Sequence, residues 1–285
     1  MGGGTGNFLR ALAASKGGLI GAVLLLAFVL LTAAAPLLPV PGPTQSNLRA
    51  RLQPPTLSLT EIGAHPLGTD NIGRDMLSRI LHGGQLTLAV GAAAVVLGGV
   101  VGVLLGIVAG YRGGMWDRVL MRLVDIQLAF PLMLLALIIA AALGPSVRNL
   151  IIVLALTSWT RYARIVRGQT LAVREREFVQ SARAIAASPW RIMTRHILPN
   201  VMTPALVVAT LELARVIILE AALSFLGLGV QPPWPSWGRM LAEGRTYMAS
   251  AWWIAAFPGL AIMLTVLSVN LLGDWLRDYF DPKLK

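Results

Sequence analysis

The 285-residue sequence has no cysteine, which removes disulfide bonds, thiolate nucleophiles and Cys-ligated zinc while leaving the redox compartment open. Lysine is almost as scarce. Lys16, Lys283 and Lys285 are the only three, and none stands in a G-x-x-x-x-G-K-[ST] context, so the chain has no P-loop in which to cradle ATP. Histidine is limited to His65, His82 and His196, too far apart for an H-E-x-x-H pattern or a helix-borne metal pair. No G-x-S-x-G elbow presents a nucleophilic serine, although sequence order alone leaves other triads open. A membrane-embedded hydrolase is therefore disfavoured, and no residue is assigned a catalytic or metal-binding role.

Charged residues are also few, at 13%, whereas hydrophobic residues make up 56% and recur in apolar runs of eighteen or more. A bilayer core about 30 Å thick takes about 20 apolar helical residues to cross. The sequence therefore predicts an all-α integral membrane protein with six transmembrane helices, near residues 18–38, 86–110, 119–143, 150–171, 201–228 and 251–272. The net charge of +11 would suggest nucleic acid in a soluble protein, but here the arginines gather in loops between spans, where they set orientation. Nucleic-acid binding is discounted. With both termini in the cytoplasm, and with Arg122, Arg161, Arg164 and Arg167 counted on the inside, sixteen basic residues fall inside and seven outside, as the positive-inside bias favours. The first apolar stretch runs through Ala33, Ala34 and Ala35 towards Leu38, longer than the h-region of a cleavable signal peptide.

Between the first two spans lies a mixed, extracytoplasmic segment that opens with the proline-rich "PLLPVPGPTQ". Within it Met76, Leu77, Ile80 and Leu81 share one face of a short amphipathic helix that Gly83 and Gly84 are expected to end, and that suits the membrane surface. The second span carries Gly98, Gly102, Gly106 and Gly110 at i, i+4 spacing, a seam along which another backbone can approach, in this chain or in a second subunit. Charges inside spans are costly, so Asp125, Glu212, Arg215 and Glu220 need partners. Arg122 with Asp125, and Glu212 with Arg215, sit at i, i+3 and are expected to pair within a turn. Glu220 lacks an obvious local mate and is the stronger candidate for the substrate path. Trp234 and Trp237 lie in the stiff "GVQPPWPSWG", where they suit either anchoring at the headgroups or an outer gate.

The longest cytoplasmic feature is "REREFVQSARAIAASPWRIMTRHILPN", residues 174–200. Phe178, Ala182 and Ile185 fall on one helical face, opposite Arg176, Gln180 and Arg183. Ser188 is a good N-cap and Pro189 suits the first helical position, so a second short helix begins there. An apolar stripe on such a hairpin needs a covering partner. This segment resembles the EAA loop of ABC-transporter permeases. In that pattern a Glu-Ala-Ala-like triplet is followed by three residues, Gly, nine residues and Ile-x-Leu-Pro; here Gln180-Ser181-Ala182 stands for the triplet, Ala186 replaces the Gly, and Leu198-Pro199 completes the end. "HPLGTDNIGRDMLSRILHGG", "RYARIVRGQTL", "EAALSFLGLGVQPPWPSWGRML" and "FPGLAIMLTVLSVNLLGDWLRDYFDPKL" are similar to the C-type permease of dipeptide, oligopeptide and nickel importers.

The resemblance implies a type I ABC importer permease core, MetI-like, with an N-terminal extra helix. Residues 1–83 would hold the membrane anchor and extracytoplasmic segment, 84–274 the five-helix permease domain with a coupling hairpin at 177–197, and 275–285 a cytoplasmic tail. It further implies a homologous second permease, one or two ABC ATPase subunits that bind ATP and Mg, an extracytoplasmic substrate-binding protein, and surrounding membrane lipid. The setting would be a bacterial or archaeal cytoplasmic membrane. Peptides are the first choice of cargo, with nickel, glutathione or another small solute as alternatives. Coupling would fall to Glu177, Phe178, Gln180, Ser181, Ala182, Arg183, Ile185, Ala186, Ile192, Leu198 and Pro199. Of these, Phe178, Ala182, Ile185 and Ile192 are expected to supply contact surface, and Glu177 and Arg183 polar contacts. Glu220, Trp234 and Trp237 would serve the pathway or gate.

Overall fold

The computed structural model describes residues 4–56 and 65–280, so Lys283, Lys285 and the end of the expected tail lie outside the described residues. Among these, every extended regular element is a helix. The first two, α1 (Gly4–Ala14) and α2 (Lys16–Ala33), part at Ser15, whose hydroxyl accepts from the Gly18 amide at 3.2 Å and caps α2. The first apolar run stops being α-helical at Ala33, with Pro36 just beyond, rather than continuing to Leu38.

The next helix, α3 (Met76–Arg112), is 37 residues long, about 55 Å at 1.5 Å per residue. It starts on Asp75, whose carboxylate accepts from the Ser78 amide at 2.7 Å. The expected separate amphipathic helix does not exist: Gly83 and Gly84 lie inside α3 and do not end it. Gly84 is there for close approach, since a Cβ on it would lie 2.8 Å from Trp237 Cζ2. Nor does this stretch rest on the membrane surface, because Met76 and Ile80 are buried against Trp237, Met240, Trp253 and Ile254.

The third expected span, 119–143, is broken. It consists of α4 (Gly114–Ala129) and α5 (Leu132–Leu143), bent by 95°. Pro131 is the cause. It lacks an amide donor and pushes Phe130 into an extended conformation, φ −85° and ψ 141°, which helix cannot continue through. The helix α6 (Val147–Arg174) follows, capped by Ser146.

Helices α3 and α6 run parallel along the glycine seam, Gly98 meeting Ser158, Gly102 meeting Tyr162, Gly106 meeting Val166 and Gly110 meeting Thr170. The seam's neighbour is thus within the chain. Because α3 and α6 point the same way, the bent pair α4 and α5 carries the chain back between them. A Cβ on Gly102 would come to 2.5 Å from Tyr162 Cβ, so Gly102→Ala is expected to cost about 1–3 kcal/mol by overpacking, read as a lowered melting temperature in detergent.

A hairpin follows, made of α7 (Glu177–Ala184), α8 (Pro189–Ile192) and a π-helical turn at Met193–Ile197. The chain then returns through α9 (Leu198–Phe225), α10 (Trp237–Gly244) and α11 (Trp253–Phe280). Helix α11 continues past residue 272, into the segment assigned to the tail. Against it packs α2, where a Cβ on Gly21 would sit 2.8 Å from the Ser268 carbonyl oxygen. By length and composition α2, α3 and α11 each suffice to cross a membrane, and the bent pair makes a fourth candidate.

At the end of the bundle away from the hairpin, a buried ion cluster fastens the segment before α3 to α10. Asp70 accepts from Arg74 and Arg79 at 2.5 Å each, and Glu243 accepts from the same two arginines at 3.0 and 2.8 Å. Asp70 and Arg79 are 0% and 1% exposed. Trp253 Nε1 donates to the Thr69 carbonyl at 3.0 Å and Trp237 Nε1 to that of Ile80 at 2.9 Å, so aromatic anchors and ion pairs lock one another in place.

Candidate functional site

The hairpin sits on a rigid base. Val179, Ala182, Ile192, Met193 and Ile197 are buried together with Val173 at the end of α6 and Val201 at the start of α9, in the main core. Arg174 Nη1 donates to the Gly110 carbonyl at 2.8 Å, and the Arg183 guanidinium lies 5.2 Å over the Tyr111 ring, so the last turn of α3 also holds the hairpin.

The turn between the short helices is a Schellman motif. The Ala187 amide donates to the Ala182 carbonyl at 3.1 Å and the Ala186 amide to that of Arg183 at 2.9 Å, with Ala186 left-handed at φ 55°. This is the position where the resembled pattern has glycine, and alanine keeps the turn at the cost of strain. Ala186→Gly relieves about 1–2 kcal/mol of left-handed strain and adds about 0.4–1 kcal/mol of unfolded-state entropy. The expected net is a stabilisation of about 0.5–1 kcal/mol, read as slower amide exchange across α7. Past the turn, the Ser188 hydroxyl accepts from the Arg191 amide at 3.3 Å, and Pro189 opens α8 as expected.

Not every expected contact residue is open. Ala182 and Ile192 are buried in the chain's own core and offer no surface, because they are the packing face of the hairpin. Arg183 is engaged with Tyr111, and the Gln180 side-chain amide with the Arg174 carbonyl at 3.3 Å. Phe178, Ile185 and Trp190 remain exposed, the last two at 81% and 69%. Glu177, Ser181 and Pro199 are exposed and Leu198 is partly buried. Between α7 and the turn after α8 runs a groove of about 860 Å³, lined by Phe178, Ser181, Ile185, Arg191, Arg195 and His196. Sequence reasoning missed Trp190, although its position two residues before buried Ile192 puts it on the opposite side of the short helix. The result is a three-residue apolar crest on a basic, firmly seated knuckle, suited to insertion into a cleft on another protein.

The charges that the sequence places inside spans are arranged differently from expectation in one case. Asp125 pairs not with Arg122 but with Arg164 on α6, at 2.5 Å, because the long guanidinium stem of α6 reaches across to α4. Glu212 and Arg215 do pair within their turn, at 2.5 Å, and Arg161 adds a contact to Glu212 at 3.2 Å. Arg167 and Asp117 form another tie between α6 and α4, and Gln127 joins the same two helices through Trp159 Nε1 at 2.9 Å.

Glu220 has a local mate after all, the Ser224 hydroxyl at 2.7 Å, and it is wholly buried with Thr87 and Ser236 beside it. Trp237 is buried within the chain against Phe28, its indole fixed to α3, and so offers no open surface. Trp234 alone of that pair is exposed. The three residues expected at the gate are therefore not gathered on one open surface.

Comparison with known proteins gives the family. Residues 102–285 match the family described as binding-protein-dependent transport system inner membrane component, and residues 5–55 match the N-terminal transmembrane domain of oligopeptide transport permease C. A putative peptide transport system permease protein of Brucella suis is 47% identical over 93% of this chain and 88% of its own. The di/tripeptide transport system permease protein DppC of Pseudomonas aeruginosa is 42% identical over 98% of this chain and 92% of its own. An inward-facing structure of the MetNI methionine ABC transporter shares the fold, with a TM-score of 0.57 and 18% identity over 72% of this chain and 98% of that one. With a match spanning most of its length and these full-length relatives, the chain belongs to the binding-protein-dependent transport system inner membrane components, the permease family of ABC importers.

Proposed function

We propose that the chain is the permease subunit of a peptide importer, forming half of a translocation pathway and taking its driving force from separate ATP-hydrolysing subunits at the hairpin. The observation that carries this reading is the exposed crest of Phe178, Ile185 and Trp190 on a base whose own apolar face, Val179, Ala182 and Ile192, is already buried. A loop that served only to set topology would need arginines but no organised apolar crest.

In this reading the chain crosses the cytoplasmic membrane six times with both termini in the cytoplasm, and pairs with a homologous second permease. One or two ABC ATPases, with their ATP and Mg, seat the hairpin, and an extracytoplasmic protein delivers the cargo. Nucleotide-driven closure of the ATPases moves the hairpin, and the core around it passes that motion to α6 and α9, which rock between outward and inward openings. Glu177 and the groove basic residues Arg191 and Arg195 orient the docked partner. The buried Glu220 and exposed Trp234 belong to the outer half of the path.

Peptides are the cargo because the full-length relatives carry that description. The test is uptake by proteoliposomes holding the chain, its partner permease, the ATPases and the loaded binding protein, offered di- and tripeptides, glutathione and nickel. ATP-dependent accumulation of the peptides supports the reading. Accumulation of nickel or glutathione alone would replace the cargo, and uptake without ATP would remove the importer.

A further inference from the structure

Where the loop after α9 lies across α3, two buried oxygens find no hydrogen-bond partner among the described residues. They are Glu220 Oε2 and Thr87 Oγ1, on side chains that are both 0% exposed. The other carboxyl oxygen, Glu220 Oε1, accepts from the Ser224 hydroxyl at 2.7 Å, and that hydroxyl accepts from the Val230 amide at 3.2 Å. Ser236 is the remaining polar neighbour. Glu220 forms no ion pair among the described residues, and Arg215, on its own helix, is committed to Glu212 instead. Buried carboxyl groups are ordinarily paired or held by several donors, so a carboxyl oxygen and a hydroxyl left over together mark a place for a group that donates.

A cavity lies one residue away. It holds about 450 Å³ at the end of the bundle opposite the hairpin, lined by His82, Leu86 and Ala89 of α3, Val147 at the start of α6, and Trp234 and Pro235. Its wall towards Glu220 is thin. Leu86 and Pro235 line the cavity, while Thr87 and Ser236, next in sequence to each, are wholly buried beside the carboxyl group. The loop rests directly on α3 here, since a Cβ on Gly83 would come to 3.5 Å from Ser236 Cα. Pockets for small ligands combine apolar walls of about 300–1,000 Å³ with a few placed polar groups, and the cavity has the walls while Glu220 and Thr87, just behind them, have the polar groups.

We propose that Glu220 is the counter-ion for the terminal ammonium of a peptide cargo, which enters this cavity and reaches the carboxylate when the loop bearing Trp234 to Ser236 lifts from α3. The ammonium brings three N–H donors, and Glu220 Oε2 and Thr87 Oγ1 are the two oxygens free to accept them. Every unblocked peptide carries that group, so one carboxylate serves cargo of any side chain, and the apolar walls take the side chains themselves. This deepens the permease reading and rests on it. Ser224 joins the two events, because its hydroxyl holds both the carboxyl group and the Val230 amide of the same loop.

Thr87→Cys is close to isosteric, keeps Glu220 and is the single thiol in a chain that has no cysteine of its own. In the complete transporter with its loaded binding protein, this cysteine is expected to react with a hydrophilic thiol reagent in at least one nucleotide state, and about tenfold more slowly there when dialanine is in excess. Adding Glu220→Gln, which keeps the shape and the bond to Ser224, is expected to leave the reaction and the melting temperature as they were and to remove the slowing. Glu220→Gln alone is expected to lower dialanine uptake about tenfold. A cysteine that stays unreactive in every nucleotide state would overturn the proposal, as would slowing that is absent from the single variant or equal in both. A double variant that melts below the single one would overturn it too, by showing the carboxyl group to be structural. Absence of ATP-driven dialanine uptake in the unaltered assembly would instead defeat the permease reading itself.

Discussion

Replacing Ile185 and Trp190 together with aspartate is expected to abolish ATP-driven uptake while leaving the chain folded and inserted. Both side chains project from the hairpin, so their loss removes almost nothing from the chain's own core, and exposed substitutions of this kind change stability by about 0.5 kcal/mol or less. In the docked complex the same residues leave water. Burying a large apolar side chain stabilises by about 1.5–3 kcal/mol, so losing two, before any penalty for buried charge, weakens docking by about 3–6 kcal/mol, or more than a hundredfold. Uptake in proteoliposomes, read beside the melting temperature and the amount of ATPase that co-purifies, checks this. Normal uptake by the double variant would remove the crest from the coupling path. Ala182→Asp is a poor test of the same idea. Ala182 is buried, so a carboxylate there disrupts the hairpin's seat, and lost uptake would report misfolding as readily as lost docking.

The second large effect is expected at the opposite end of the bundle. Arg79→Ala leaves Asp70 fully buried with Arg74 as its one remaining cation and strips Glu243 of a partner. Breaking a buried ion cluster by removing one member costs about 3–5 kcal/mol, far more than the intact cluster contributes over an apolar substitute. A drop of that size should appear as a lower melting temperature and as faster proteolysis of the segment before α3, which the cluster ties to α10. Replacing the exposed Arg49 instead is expected to do almost nothing. If Arg79→Ala melts like the unaltered chain, the latch is not what holds the segment down.

The sequence revealed the helical class, the glycine seam and the hairpin because each depends on spacing within one stretch of chain. Gly98 to Gly110 repeat at four, and Ser188-Pro189 carries its cap in two adjacent residues. What stayed hidden depends on partners distant in sequence. Asp125 looked matched to Arg122 one turn away, but side-chain reach across the gap between α4 and α6 decided for Arg164. Gly83 and Gly84 read as a helix end because glycine alone is a poor helix former, and only Trp237, more than 150 residues later, shows that space was the reason for Gly84. Asp70, Arg79 and Glu243 carried no local pattern that could have joined them. The division of the hairpin into an inward face with Ala182 and Ile192 and an outward crest with Ile185 and Trp190 was only half visible. Its amphipathic period marked Phe178, Ala182 and Ile185 as one apolar stripe, whereas α7 buries Val179 and Ala182 and leaves Phe178 and Ile185 at the exposed edges of that face.

A single cysteine at position 185, in a chain with no other, gives the most direct measurement of where force enters. Coupled to a short bifunctional reagent in the assembled transporter, Ile185→Cys should crosslink to an ATP-hydrolysing subunit, and the crosslinked particles should neither transport peptide nor be labelled at that position by a water-soluble thiol reagent. Full labelling by that reagent in every nucleotide state, with no crosslink to such a subunit, would contradict the coupling role of the hairpin.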